Sequence, residues 1–537
     1  MAKGYRPVDR DQVFLFPPDM REWLPADHPV WLVIRVVEQH LDTGAFHAAR
    51  RTGGAGAPGY DPDMLLAVLM WAYANGVTSS RRIEQLCGTD VAFRVICAQN
   101  LPDHATIARF RGRFGEAIAG FFAEVLGLCA RLGMGKLGVV ALDGMKIAAS
   151  ASKAANRTEG KLAELARDIV ARHGQADAAE DELFGEERGD EVPGDVWRPG
   201  SRDERIGAAL ASLQAEREAA EKARQDQAAA FRARQRAGRR TGCSPDSAAV
   251  ALAEESLARV TAAQQAKIDD WEARNARSLA ETGKRLGNPP RRPASQHVRV
   301  RQAAARLERA RRRQAEAARR AADREGPGPV RNLTDPDSRL MPVRGGGFIQ
   351  GYNAQNVTSA DGLIIATELT NDSADSRWFE PMVRAAEDAA ALITASRPAV
   401  GQDAATIGLL LADAGYCSEH NLTVHGPDRL IAVGKHHGLE HAARSGGAAG
   451  RHRAGPAAQA MAGRLKTEDG LTAYRQRGHL AETPHGHIKH NLRFRQLSVR
   501  GKAGAAAEWA FTAAVHNLLK AITSGHLTTQ ALAALPA

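Results

Sequence analysis

Two aspartates stand where a run of apolar residues ends. In VVALDGMK (139–146) the run closes on Asp143, and in IGLLLADAGY (407–416) it closes on Asp413. Continuous apolar runs of this length read as strands buried on both faces, and groups at the carboxyl ends of such strands escape the packed interior. If the two strands are neighbours, two carboxylates meet, and left bare they repel or one must take a proton. A divalent cation removes that cost. Hard oxygen donors suit Mg²⁺ or Mn²⁺, which bind through few carboxylates and keep positions for water and phosphate oxygens. Taken singly, an acid after an apolar run is more often a turn residue, so a third acid has to come from elsewhere.

The elements that must position these residues divide the chain. Residues 1–135 predict short helices: Asp61-Pro62 is an N-cap followed by proline at the first helical position, and the apolar run after it ends at Gly76. Basic residues between these helices are compatible with a helix-turn-helix DNA-binding unit or with a plain bundle. Residues 153–331 are dominated by Ala, Glu, Arg and Gln and predict long paired helices. Within 296–325 ten Arg face four acids, a surface that either tracks phosphates or, as is commoner for charge runs, is solvated. Strand patterns resume in 347–372, as two strands about Ala360-Asp361-Gly362. A helix, the run ending at Asp413, a short strand (429–435) and helices around 482–495 and 505–521 follow.

The 537 residues exceed one ordinary core, and 72 Lys and Arg against 62 Asp and Glu leave a net charge of +10. That balance favours an anionic partner, most commonly nucleic acid. The N-terminal residues lack an apolar signal region and the apolar runs are too short to span a bilayer, so a soluble cytoplasmic, nucleoid-associated protein with no membrane partner is expected. Cys87, Cys97, Cys129, Cys243 and Cys417 are scattered with no CxxC pair, which speaks against a disulfide framework or a structural zinc site.

The stretch YRQRGHLAETPHGHIKHNLRFRQLSVRG (474–501) resembles the signature of bacterial DDE insertion-sequence transposases, with Tyr474, Arg477, Glu482 and Lys489 in the family's places. DGMKIAASASK, NLTDPDSRLMPVRGGGFIQGYNAQ, LLADAGYCS and EWAFTAAVHNLLK resemble further family segments in the same order, nearest to the insertion sequence eleven-eighty-two group. LPDHATIARFRGRF looks like the family's N-terminal domain. The resemblance implies an α/β fold: an RNase H-like mixed sheet (136–152 and 332–525) with a long helical insertion after its first strand (153–331), preceded by an all-α, DNA-binding N-terminal domain (1–135). It implies Asp143, Asp413 and Glu482 as catalytic residues and ligands of two Mg²⁺ or Mn²⁺ ions, one activating the attacking water or 3′-hydroxyl and the other stabilising the leaving oxygen. It also implies DNA contacts by Tyr474, Arg477, Lys489 and Arg493, element ends and target DNA as partners, and a homodimer when two ends are brought together. An RNase H-like nuclease without strand transfer and an inactive DNA-binding relative are the alternatives.

Two departures from the family pattern bear on the third acid. Thr483 separates Glu482 from Pro484, and His485 stands in place of an aromatic. Thr483-Pro484 reads as a helix start that would leave Glu482 just outside; Glu468 is the fallback, without the downstream lysine. His479, His485, His487 and His490 suggest no ligand geometry and are expected on a DNA-facing or solvated surface. His437, Glu440 and His441 match a zinc-peptidase order, but a basic loop is the better reading. Asp335 and Asp337 are either metal neighbours or an Asx-turn, and Tyr352, Asn353 and Gln355 either line the cleft or alternate along a strand.

Overall fold

The structure, a computed structural model, describes residues 19–48, 59–169, 202–237, 246–290, 293–323, 330–343, 346–397, 405–434 and 455–535. The chain forms two compact units, residues 1–156 with 332–537, and residues 157–331. The H-x-x-E-H stretch and Cys243 lie outside the described residues; Cys87, Cys97, Cys129 and Cys417 are free thiols. No helix among the described residues is long and apolar enough to cross a membrane.

The first unit begins with short helices, among them α1 (Pro29–His40), α2 (Pro62–Ala74) and α3 (Gly115–Arg131). The Asp61 carboxylate caps α2, accepting from the amides of Asp63 at 2.8 Å and Met64 at 3.3 Å. Gly76 ends that segment with φ +72°, and a Cβ there would lie 2.8 Å from the Leu492 carbonyl oxygen. Only glycine satisfies both the left-handed turn and this close approach.

A six-stranded mixed sheet follows: β1 (Val139–Ala148), β2 (Arg339–Pro342), β3 (Phe348–Ser359), β4 (Ile364–Thr370), β5 (Leu409–Ala412) and β6 (Asp428–Ile431). Their order is β2-β3-β1-β5-β6, with β4 also paired to β3. β1 runs antiparallel to β3 and parallel to β5, which is parallel to β6. The β1–β5 register runs from Val139 opposite Leu409 to Leu142 opposite Ala412. Asp143 and Asp413 are therefore the next residues on adjacent parallel strands. β5 stops there, but β1 does not end where its apolar run ends. β3 still offers backbone partners as far as Gly351, where any side chain would run into the Ile147 carbonyl.

Helices α4 (Phe379–Ser396), α5 (Glu468–Gly486) and α6 (Lys502–Thr523) also belong to this unit. One apolar core joins α1, α2 and α3 to one face of the sheet, α4 and α6, through residues such as Val33, Leu66, Phe121, Leu142, Tyr352, Phe379 and Trp509. The N-terminal helices and the sheet thus share buried surface, each large side chain contributing roughly 1.5–3 kcal/mol. The other face of the sheet has its own smaller cluster, with Ala141, Leu411, Leu430, Leu465, Tyr474 and Leu480.

The α5 boundaries correct the sequence reading. Thr467, not Thr483, starts the helix: its Oγ1 accepts from the Gly470 amide at 3.1 Å. Pro484 sits inside the last turn, where it removes one ladder donor, and the helix then widens into a π turn over His487–Asn491. Glu482 is therefore held within a helix.

His516 on α6 is buried, its Nε2 3.1 Å from the Gly362 carbonyl and its Nδ1 2.9 Å from Nδ1 of His487. A carbonyl only accepts, so the His516 proton is on Nε2 and His487 donates to Nδ1. Burial lowers the His516 pKa to about 3, from an ordinary 6.5, and lowers that of His487 too. A depressed folded-state pKa gives stability that is full above pH 6.5 and lost as pH falls towards 3. The unfolding free energy is expected to drop across that window, at most by about 1.4 kcal/mol per pH unit for this group, and His516→Asn should flatten the dependence.

Among the described residues, the second unit consists mainly of three long helices, Arg202–Arg236, Asp246–Thr282 and Val298–Asp323. Val300, Ala303 and Leu307 form the buried stripe of the third, while Arg299, Arg301, Arg306, Arg309, Arg312 and Arg313 are exposed.

Candidate active site

Where β5 ends, the two aspartates come together with α5 across them. Arg477 Nη2 lies 3.2 Å from Asp143 Oδ1 and 3.9 Å from Asp413 Oδ2. The Gly144 amide donates to Asp143 Oδ1 at 3.0 Å, and the Gly415 amide donates to Asp413 Oδ1 at 2.8 Å. Glu482, exposed and five residues beyond Arg477 on α5, is close enough to act electrostatically on both Asp143 and Arg477.

Burial pushes the Asp143 carboxyl above the usual carboxylate range; Arg477 and the Gly144 amide pull it back, while Asp375 and Glu482 push it further up. Burial also raises Asp413, with Asp143 the next cause. For Arg477 burial acts downward, yet Asp143, Tyr474, Asp413 and Glu482 together hold its pKa above the ordinary value. These acids are crowded, desolvated and short of positive charge. Burial lowers the Lys489 pKa, with Asp143 opposing.

Sequence expectation and structure differ for several residues. Tyr474 is buried, and its hydroxyl donates to the Ala412 carbonyl at 3.2 Å; it steadies the strand end before Asp413 instead of presenting itself to a ligand. Arg477 is turned in onto the two aspartates. Lys489 is half-buried in the π turn, and Arg493 is exposed at φ +50°. Glu468 starts α5, fourteen residues and about 21 Å of helix from Glu482, which separates it from this site. Asp335 turns inward to accept from the Tyr352 hydroxyl at 2.9 Å, and Asp337 accepts from the Lys502 amide at 2.9 Å, so both serve local structure.

His485 corrects the expectation of a solvated histidine. It is buried, with Nδ1 3.8 Å from Asp143 Oδ2 and Nε2 3.1 Å from Asn356 Nδ2. Asn356 Oδ1 accepts from Thr367 Oγ1 at 2.6 Å and Trp509 Nε1 at 3.3 Å, which fixes its amide as the donor to His485. The His485 proton is therefore on Nδ1, facing Asp143. Burial depresses its pKa to about 4. The only sequence signal for this role was the replacement of an aromatic at this position. Asp375, in the loop after β4, was missed altogether.

Asp143 and Asp413 offer the hard carboxylate oxygens that a divalent ion takes, and the Arg477 guanidinium lies against both; together with Glu482 they are not drawn within 4.8 Å of one another. Among the described residues, a tighter group of potential ligands is His47, Asp61 and Asp63, whose ligand atoms all lie within 4.8 Å of one another. Its geometry is already explained by the Asp61 cap and the 3.0 Å pair between His47 Nε2 and Asp63 Oδ1.

Two family models match the chain: a transposase domain over residues 18–113 and a transposase DDE domain over residues 448–522. The second spans Tyr474, Arg477, Glu482, Lys489 and Arg493; Asp143 and Asp413 lie outside both. No curated protein and no solved structure matches. With a transposase domain near one end and a transposase DDE domain near the other, the chain is a DDE-type insertion-sequence transposase, an enzyme that acts on DNA.

Proposed function

We propose that Asp143, Asp413 and Glu482 form one site that cuts DNA at the ends of the chain's own insertion sequence and joins the freed 3′-hydroxyls to target DNA, in an RNase H-like domain of the insertion sequence eleven-eighty-two group. The observation that carries this reading is the parallel β1–β5 register, which leaves Asp143 and Asp413 side by side with Arg477 against both.

Asp143, Asp413 and Glu482 would hold two Mg²⁺ or Mn²⁺ ions, which when bound supply Lewis-acid charge for in-line displacement at phosphorus. The protein's own contribution is positioning. Tyr474 and the Gly144 and Gly415 amides fix the two aspartates; neutral His485 faces Asp143 without adding charge. Arg477 keeps the acids paired in the absence of metal. Lys489 supplies positive charge beside the site for a phosphate. Exposed Arg81, Arg82, Arg109 and Arg113 in the N-terminal helices, and Arg493, are proposed to contact the DNA backbone. Bringing two ends together calls for a homodimer.

With Mg²⁺, a duplex carrying the element end is expected to be cut to a 3′-hydroxyl and then joined to a plasmid. Cutting without joining would make the protein a nuclease only, and neither reaction would make it an inactive DNA-binding relative. Mg²⁺ or Mn²⁺ at about 100 times its Kd should also stabilise the protein by about 2.7 kcal/mol, raising its melting temperature, and the Asp143→Asn, Asp413→Asn double variant should not respond.

A further inference from the structure

Asp375 lies in the loop between β4 and α4. It precedes the short turn Ser376–Trp378, but its side chain makes no capping bond there. Its Oδ1 instead accepts three donors from β1 and β3: Asn353 Nδ2 at 2.7 Å, Gln355 Nε2 at 2.8 Å and Lys146 Nζ at 3.3 Å. Gln355 is locked in that sense because its Oε1 accepts from the buried Tyr416 hydroxyl. Oδ2 receives no hydrogen bond from the described residues.

The two glycines that accompany the aspartates show where this carboxylate sits. A Cβ on Gly144 would be 2.7 Å from Asp375 Oδ1 and 2.5 Å from Gln355 Nε2. A Cβ on Gly415 would be 2.9 Å from Asp413 Oδ1 and 3.4 Å from Asp375 Oδ2. The Asp375 carboxylate thus fills the space that side chains at 144 and 415 would need, and its open oxygen borders the same small volume as Asp413. Asn353 Oδ1, wholly buried and without a partner, borders the space over Gly144 at 3.1 Å from the same Cβ position. Asp375 also pushes the Asp143 and Asp413 carboxyls upward electrostatically.

We propose that Asp375 is a fourth carboxylate of the site, holding a divalent cation through Oδ2 together with the aspartates at the ends of the β1 apolar run and of β5. This rests on the metal-site reading above. A carboxylate retained only to pair with Lys146 has no need of two buried amides on the same oxygen. Here Oδ1 is saturated and Oδ2 is left open towards the other acids, the division expected of an anchored ligand.

The test uses the full chain, stripped of metal, titrated with Mn²⁺ and read by the loss of the free-ion paramagnetic resonance signal. Asp375→Asn keeps an Oδ1 acceptor for the three donors, replaces the open oxygen by an amide nitrogen and removes the charge paired with Lys146. It is expected to weaken Mn²⁺ binding about tenfold or more, with the metal-free melting temperature lowered no further than by Lys146→Met, which breaks the same ion pair. Lys146→Met, which removes a competing cation, should bind Mn²⁺ at least as tightly as wild type, whereas a purely structural Asp375–Lys146 pair would make both variants equally poor. Asp375→Asn binding like wild type while Asp143→Asn and Asp413→Asn bind weakly would overturn the proposal and leave the site standing. All three binding like wild type would remove the site itself.

Discussion

Asp143→Asn is expected to lower DNA cleavage about 10³-fold while end binding stays within about twofold. The amide occupies the same volume and keeps an acceptor for the Gly144 amide, so β1 is not disturbed. What is lost is negative charge at the point where β1 leaves β5, against Asp413 and the Arg477 guanidinium 3.2 Å away. Glu482→Gln should cost as much in the same single-turnover assay, and Glu468→Gln nothing, since it stands some four helical turns from the site. Normal cutting by Glu482→Gln would remove α5 from the chemistry and reduce the site to the ends of two strands.

The largest effect on stability is expected away from the acids. Glu508 on α6 is buried and accepts from the Tyr73 hydroxyl at 2.6 Å, from the amides of Ser498 at 2.7 Å and Val499 at 3.2 Å, and from the Ser498 hydroxyl. Arg111 Nη1 reaches the Tyr73 oxygen at 3.2 Å. This network ties the N-terminal helices to the strap that leaves the π turn. The same strap is bonded to the end of β1 through the Leu497 amide and the Ala148 carbonyl at 2.9 Å. Glu508→Ala strands several buried donors at once and should cost about 3 kcal/mol or more in chemical denaturation, against about 1 kcal/mol for Tyr73→Phe, which leaves the carboxylate its other donors. Similar losses for both variants would mean that the network relaxes around the missing carboxylate.

Residues whose role follows from local pattern were legible in the sequence. The Asp61-Pro62 start and Gly76 end of α2, the turn at Ala360–Gly362 and the two acids after apolar runs depend on neighbours in the chain. What was not legible depends on what packs across. β1 outlasts its apolar run because β3 pairs with it. Thr483-Pro484 looks like a helix start in isolation, but the helix is nucleated upstream at the Thr467 cap and tolerates Pro484 near its end. Tyr474 and Arg477 are expected from the resemblance to contact DNA, yet α5 turns them onto the strand ends. His485 and Asp375 carry no local signature; their partners Asn356, Asn353 and Gln355 lie on β3, far away in sequence.

That β1, β5 and α5 bring their acids to one cation is tested most directly by iron-mediated backbone cleavage. With Fe²⁺ in place of Mg²⁺, ascorbate and peroxide produce hydroxyl radicals that cut the chain where the ion sits. Cuts near Asp143, Asp413 and Glu482 together, suppressed by excess Mg²⁺, are the expected result. Cuts confined to the His47, Asp61 and Asp63 neighbourhood, or cuts at the two aspartates with none near Glu482, would contradict a shared site.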